Sequence, residues 1–238
     1  MDIAPKFRPF IVAIDGPAGS GKTTTAKALA RDLGFIYVDT GAMYRAVALY
    51  AQRRGVSVDD REEVCGLLPD IDIRLERMDG EQHTLLNSEN VEEFIRTQEM
   101  SRAASDISAI PCVREAMVEL QRRAARGAMG AVLEGRDIGT VVFPDSPCKI
   151  FLVADASTRA QRRKLQLEEK GMDADFATIL REIEERDRND AAREHSPLRK
   201  AKDAIEVETT NTSIDEQVSM ILGLVEKRID QFQKGQTG

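Results

Sequence analysis

Eight consecutive residues, Gly16, Pro17, Ala18, Gly19, Ser20, Gly21, Lys22 and Thr23, constrain this chain more than any other part of it. They fit the pattern G-x-x-x-x-G-K-[ST]. An apolar, β-branched run (residues 10–14) precedes them, and Ala26, Leu29, Ala30 and Leu33 follow at helical spacing. Glycines at these points let successive backbone N–H groups turn inward at a helix N-terminus, which makes an anion cradle. The segment therefore predicts strand, tight turn and helix in that order. In such a loop Lys22 places its charge between the β- and γ-phosphates of a nucleoside triphosphate, and the Thr23 hydroxyl ligates Mg²⁺. Gly16 to Thr23, with Thr24 after them, form the expected ATP-binding segment, with ATP as donor and Mg²⁺ as its ion.

The same alternation continues. Residues 36–38, 131–133, 149–153 and 205–207 read as short buried strands, and residues 23–33 and 43–54 as helices. Ser213 and Glu216 form a capping box that opens a last helix. Strands separated by helices predict an α/β fold with a parallel sheet flanked by helices. Residues 67–108 break the rhythm. Alternating apolar residues at 71–75, Asp79-Gly80 and a second run at 83–86 predict a hairpin, a small antiparallel insert on the α/β core. Beyond a frayed tail after Gln233, no low-complexity tract or repeat stands out.

Composition narrows the function. A net charge of −7 argues against a general nucleic-acid binder, so any anion site must be a local cationic island. Residues 1–9 carry no long apolar leader, and no stretch is long enough to span a bilayer. The three cysteines, Cys65, Cys112 and Cys148, form no C-x-x-C pair, which predicts separate thiols in a reducing, cytoplasmic setting. His83 and His195 have no ligand-spaced partners, so a structural metal is not expected. A monomer acting on small molecules is the expectation, with no nucleic-acid or membrane partner.

The triphosphate loop does not fix the task. A guanine-nucleotide switch would carry N-K-x-D, which is missing. Three other clusters point to an anionic acceptor. Thr40, Tyr44 and Arg45 follow the second strand, where ligands of open α/β sheets gather. Glu134, Gly135, Arg136 and Asp137 follow the strand at 131–133. Arg136 there suits bidentate phosphate binding, and Glu134 suits ordering of magnesium waters. Further on, Arg159 and Arg162 or Arg163 share one helix face, and Arg186, Asp190 and Arg193 share another. Two such helices would serve as a phosphate-covering lid, with Arg162 on the ATP side. A phosphate-monoester acceptor is already largely ionised, with a second pKa of about 6. It needs cations more than a base, and many arginines without a catalytic histidine suit that case. The bland alternatives are solvated, salt-bridged helix surfaces.

At these residues the sequence resembles bacterial cytidylate kinases. The resemblance is carried by residues 14–22, 39–45, 95–99, 113–116, 135–145 and 165–171, of which the Gly135-Arg-Asp-Ile-Gly-Thr-Val-Val-Phe-Pro stretch is far more specific than the phosphate loop. It implies a P-loop nucleoside monophosphate kinase fold with a five-stranded parallel core (about 9–40, 110–156 and 203–233), an acceptor-binding region with the insert (about 41–109) and a lid (about 157–195). It implies transfer of the ATP γ-phosphate to CMP or dCMP, with Lys22, Arg136 and Arg186 as catalytic residues. The implied cytosine contacts are Ser105, Arg114 and Asp137, the acceptor-phosphate contacts Arg45 and Arg136, and the sugar contacts Arg186 and Asp190. Thr40, Tyr44 and Arg193 line the same site. Another small P-loop kinase, acting on a different monophosphate or a small metabolite, is the competing expectation.

Overall fold

The structure is a computed structural model and describes residues 9–78, 81–169 and 171–236. In chain order it has β1 (Phe10–Asp15), α1 (Lys22–Leu33), β2 (Ile36–Asp39), α2 (Thr40–Arg53), α3 (Arg61–Leu67), β3 (Ile73–Met78), β4 (Glu81–Leu86), β5 (Glu89–Asn90), α4 (Glu92–Ile95), α5 (Gln98–Ile107), α6 (Pro111–Ala124), β6 (Gly130–Gly135), β7 (Cys148–Val153), α7 (Ala156–Glu168), α8 (Phe176–Ala192), β8 (Ile205–Glu208) and α9 (Ile214–Gln236). These elements fall into two compact units, Met1–Tyr37 with Gly127–Gly238, and Val38–Arg126.

The first unit is built on a five-stranded parallel sheet in the order β2-β6-β1-β7-β8. All six residues of β1 are buried, as a central parallel strand covered on both faces requires. Phe10, Val12 and Ile14 point to one face, where they pack with Ala26, Leu29 and Ala30 of α1 and Ile221 and Val225 of α9. Ile11 and Ala13, also buried, take the other face by the two-residue period of a strand. The predicted capping box opens α9: Glu216 accepts from the Ser213 amide at 2.9 Å, and Ser213 accepts from the Glu216 amide at 3.3 Å. The helix then runs to Gln236 instead of fraying after Gln233.

Strand β1 hands over to the phosphate loop at Gly16. A Cβ there would lie 2.3 Å from the main-chain oxygen of Leu152 on β7, so only glycine lets the chain pass so close to its neighbour. Gly21 caps α1 with φ +88°, a left-handed conformation that suits glycine.

The second unit holds α2 to α6 and a three-stranded antiparallel sheet in the order β3-β4-β5. The insert is present, but its first strand starts at Ile73 instead of Ile71 and pairs Met78 with Glu81. The predicted Asp79-Gly80 turn lies outside the described residues. Helix α2 begins three residues before its predicted start, because the Asp39 side chain accepts from the Ala42 amide and caps the helix at Thr40.

The expectation of three separate thiols is corrected. Cys65 at the end of α3 and Cys112 at the start of α6 form a disulfide with a Cα–Cα distance of 5.9 Å, and Cys148 is free and buried. The two residues are 47 apart in sequence, and spacing of that kind says nothing about which helices pack together. A crosslink closing a loop of this length restricts the unfolded chain by up to ~4 kcal/mol on a chain-entropy account. Cys65→Ser should therefore lower the free energy of urea unfolding by about 2–4 kcal/mol. Adding a reductant to the unmutated protein should reproduce the loss, and adding it to the variant should change nothing further.

Candidate active site

The phosphate loop and the ends of β1 and β6 surround Lys22. Its amine donates to the Pro17 carbonyl at 2.6 Å, and Ser20 donates to the same carbonyl at 3.0 Å. Lys22 is 6% exposed. Burial, followed by the neighbouring cations Arg136 and Arg186, holds its pKa well below that of an ordinary lysine, against the pull of Glu134 and Asp15. Thr23 and Thr24 are exposed beyond it. The Thr23 hydroxyl donates to Glu134 Oε2 at 2.9 Å, and Tyr37 donates to the other Glu134 oxygen. A threonine hydroxyl joined to a buried carboxylate is a pair of hard oxygen donors, which fits Mg²⁺.

The segment after β6 bends sharply. The amides of Val141 and Val142 both reach the Asp137 carbonyl, at 2.8 and 3.2 Å, in a wide turn of π type over Ile138–Val142. This turn presents Arg136 and the buried Asp137. Arg136 Nε donates to Asp190 Oδ2 at 2.8 Å, and Arg193 donates to Asp190 Oδ1. Asp190 is 1% exposed. Burial alone would raise its pKa, but Arg136, Arg193 and Arg186 together hold it below the usual carboxylate range. The structure thus brings Arg136 and Arg186 near Lys22, and Arg136, Arg186 and Arg193 around Asp190.

Two residues of α7 behave differently from mobile lid cations. Arg159 is buried and tied down: it donates to the Ala154 carbonyl at 2.9 Å, to the Ala18 carbonyl of the phosphate loop at 3.1 Å and to Asp187 of α8 at 3.1 Å. Helical spacing could not distinguish a solvated arginine from this strut. Arg162 donates to the main-chain oxygens of Thr209 and Thr212, at 2.5 and 3.4 Å, which follow β8.

The second unit makes two clusters of its own. Asp39, at the end of β2, caps α2 with Oδ1, while Oδ2 accepts from Arg45 at 3.0 Å and from Arg96 at 2.7 Å. Arg96 also donates from Nε to Glu92 at 2.6 Å. The Nε of Arg45 is buried without a hydrogen-bond partner among the described residues, a donor left over for an anion. In the second cluster the Arg114 guanidinium lies 5.4 Å from the ring centre of Tyr44 and donates to the Ser108 carbonyl at 3.0 Å. The Ser108 hydroxyl in turn donates to the Ser105 carbonyl at 2.8 Å. Thr40, Tyr44 and Arg114 are buried and Ser105 is half-buried.

Sequence reasoning gave no role to Asp15, Tyr37, Arg96 or Asp187. Asp15 left a visible trace, as a charged residue ending an apolar strand immediately before the loop, and Arg96 lies in one of the segments (95–99) that carry the resemblance.

A cradle for polyphosphate beside converging lysine and arginine side chains, at the carboxyl end of a parallel sheet, is the equipment of a P-loop phosphotransferase. The chain belongs to the cytidylate kinase family: the sequence model described as "Cytidylate kinase" matches residues 12–227. A cytidylate kinase of Syntrophotalea carbinolica is 48% identical over 221 residues, covering 93% of this chain and 94% of the relative. One from Caldicellulosiruptor bescii is 47% identical over 216 residues, covering 91% of this chain and 95% of its own length. Among solved structures, a gluconokinase from Sinorhizobium meliloti aligns with 96% of this chain and 99% of its own at 13% identity and a TM-score of 0.48, a likeness too distant to bear on the substrate.

The Asp39 cluster of the second unit bears on acid stability. Burial would raise its pKa, but Arg45 and Arg96 outweigh that and hold it at about 2, against an ordinary 3.8. A carboxylate depressed on folding contributes stability that is complete above the unfolded value and lost as pH falls through the folded one, here roughly 2 kcal/mol. Asp39→Asn should therefore destabilise the protein at pH 7, and the gap to the unmutated chain should narrow between about pH 4 and pH 2, as read by urea unfolding at each pH.

Proposed function

We propose that this cytidylate kinase family member transfers the γ-phosphate of ATP to CMP or dCMP, giving CDP or dCDP and ADP, with the following division of labour. The observation that carries the reading is the convergence of Lys22, Arg136 and Arg186 beside a complete phosphate loop, in a chain whose family match spans residues 12–227. Backbone amides of Gly16 to Thr23 hold the triphosphate, with Thr24 and Arg162 on the same side. Lys22 neutralises the transferring phosphoryl group, which carries its charge on equatorial oxygens and needs electrostatic stabilisation more than a base. Arg136 and Arg186 add to that stabilisation. Both are held by or near Asp190, so charge is in position before transfer begins.

Thr23, with Glu134 behind it, would hold Mg²⁺, which neutralises charge on the donor phosphates when bound. On the acceptor side Arg45 and Arg136 bind the phosphate, Arg186 and Asp190 the sugar, and Thr40, Tyr44 and Arg193 line the site. Ser105, Arg114 and Asp137 read the base. Cytosine offers an N4 amino donor with N3 and O2 acceptors, so a carboxylate and an arginine complement it, whereas uracil reverses the polarity at two of those positions. No base need remove a proton, because the acceptor phosphate is already ionised near neutral pH.

Parallel assays with CMP, dCMP, UMP and AMP test the acceptor, and a rate that does not depend on a cytosine nucleotide would overturn the reading. Asp137→Ala should lower kcat/KM for CMP about 10- to 100-fold, the worth of one lost base contact, while the Kd for ATP stays within about twofold. Lys22→Ala should abolish phosphoryl transfer with an unchanged circular dichroism spectrum, measured by coupled ADP release.

A further inference from the structure

Asp15 is a buried acid at the sheet's carboxyl edge with no part in the chemistry above. It is 4% exposed and ends β1, one residue before the phosphate loop begins. Its carboxylate uses both oxygens on main chain: Oδ1 accepts from the Ile138 amide at 2.8 Å and Oδ2 from the Gly139 amide at 2.8 Å. Ile138 is fully buried. A Cβ on Gly139 would meet the Lys149 side chain at 3.1 Å and Asp15 Oδ2 at 3.4 Å. The two amides therefore sit at a packed point of the turn, immediately after Arg136 and Asp137. In β-sheet register Asp15 lies opposite Gly135, so the ladder between β1 and β6 ends there and the carboxylate continues the fastening past it.

We propose that Asp15 is a positioning residue for the acceptor: by clamping the Ile138 and Gly139 amides, it fixes Arg136 and Asp137 against the phosphate loop. The proposal rests on the assignment of Arg136 and Asp137 to CMP. Two charge-assisted hydrogen bonds from one carboxylate give a rigid, two-point hold that a neutral side chain cannot reproduce. An asparagine can accept from only one of the two amides and turns a donor towards the other. The charged groups facing Asp15 are Lys22, at the start of α1, and Asp137. Lys149, whose stem packs on Gly139, commits its ammonium to Asp203 at 2.8 Å and to the Pro144 carbonyl.

Burial pushes the Asp15 carboxyl up to about 6 against the two amide bonds, with Asp137 adding to the rise and Lys22 opposing it. A carboxylate raised on folding is carried as a charge at neutral pH at a cost to stability, since the folded state would sooner bind the proton. Fold stability therefore does not explain a charge here, whereas a fixed turn does. The raised value also supplies the test. In the full-length enzyme, the ¹H–¹⁵N resonances of Ile138 and Gly139 should titrate together with a midpoint near pH 6, because protonation removes the charge from their shared acceptor. In Asp15→Asn the same resonances should be flat through that range. The variant should raise KM for CMP about tenfold or more, the scale of one lost charge-assisted hydrogen bond, with KM for ATP within about twofold.

Flat resonances in the unmutated enzyme, or a titration that persists in Asp15→Asn, would overturn the clamp. A variant that raises KM for ATP and leaves KM for CMP unchanged would overturn the proposal, showing that the carboxylate acts only as a counter-ion of Lys22 and positions no acceptor group. If Asp137→Ala and Arg136→Ala leave CMP binding untouched while the two amides titrate as expected, the acceptor assignment fails and the clamp stands.

Discussion

Like charges brought close together must be held there, and the first unit does so with buried carboxylates. Lys22, Arg136 and Arg186 lie near enough to depress the lysine's pKa, an arrangement that would be repulsive without counter-ions. Glu134, Asp15 and Asp190 supply them, each from a different element: the end of β6, the end of β1 and α8. Each carboxylate also makes a directed bond, to Thr23 and Tyr37, to two backbone amides, or to Arg136 and Arg193. Charge balance and geometry are therefore set by the same groups, which is the preorganisation that phosphoryl transfer depends on.

This arrangement explains why the turn after β6 is so irregular. A regular helix starting at Gly135 would direct its amides along its own axis. The wide turn instead collects the Val141 and Val142 amides on the Asp137 carbonyl, while the amides of Ile138 and Gly139, in its first turn, go to Asp15. The second unit repeats the principle on a smaller scale, where Asp39 caps α2 and holds two arginines at once. One buried carboxylate thereby sets both the start of a helix and the direction of Arg45.

Much of this was legible in the chain because it is local. The loop from Gly16 to Thr23 lies between a strand and a helix that its neighbours encode by periodicity. The Ser213–Glu216 box needs only a three-residue spacing, and the insert announced itself by a change of period. Pairings between distant segments were not legible. Nothing in the sequence joins Cys65 to Cys112, and the preference for separate thiols was wrong because packing of α3 on α6 decided it. Arg159 read as a lid cation because i, i+3 spacing reports a shared face but not what lies against it. Here that is the Ala18 carbonyl and Asp187. The partners of Asp15 are main-chain amides, which every residue but proline has, so no particular residue type could have flagged them.

The close approach of Gly16 to the Leu152 carbonyl has an evolutionary corollary. The phosphate cradle is registered on the sheet through main chain, which is identical for every amino acid. The contact asks nothing of the side chain at position 152, whereas it admits no side chain at position 16. Neighbours that touch across one small gap are thus constrained by it to opposite degrees.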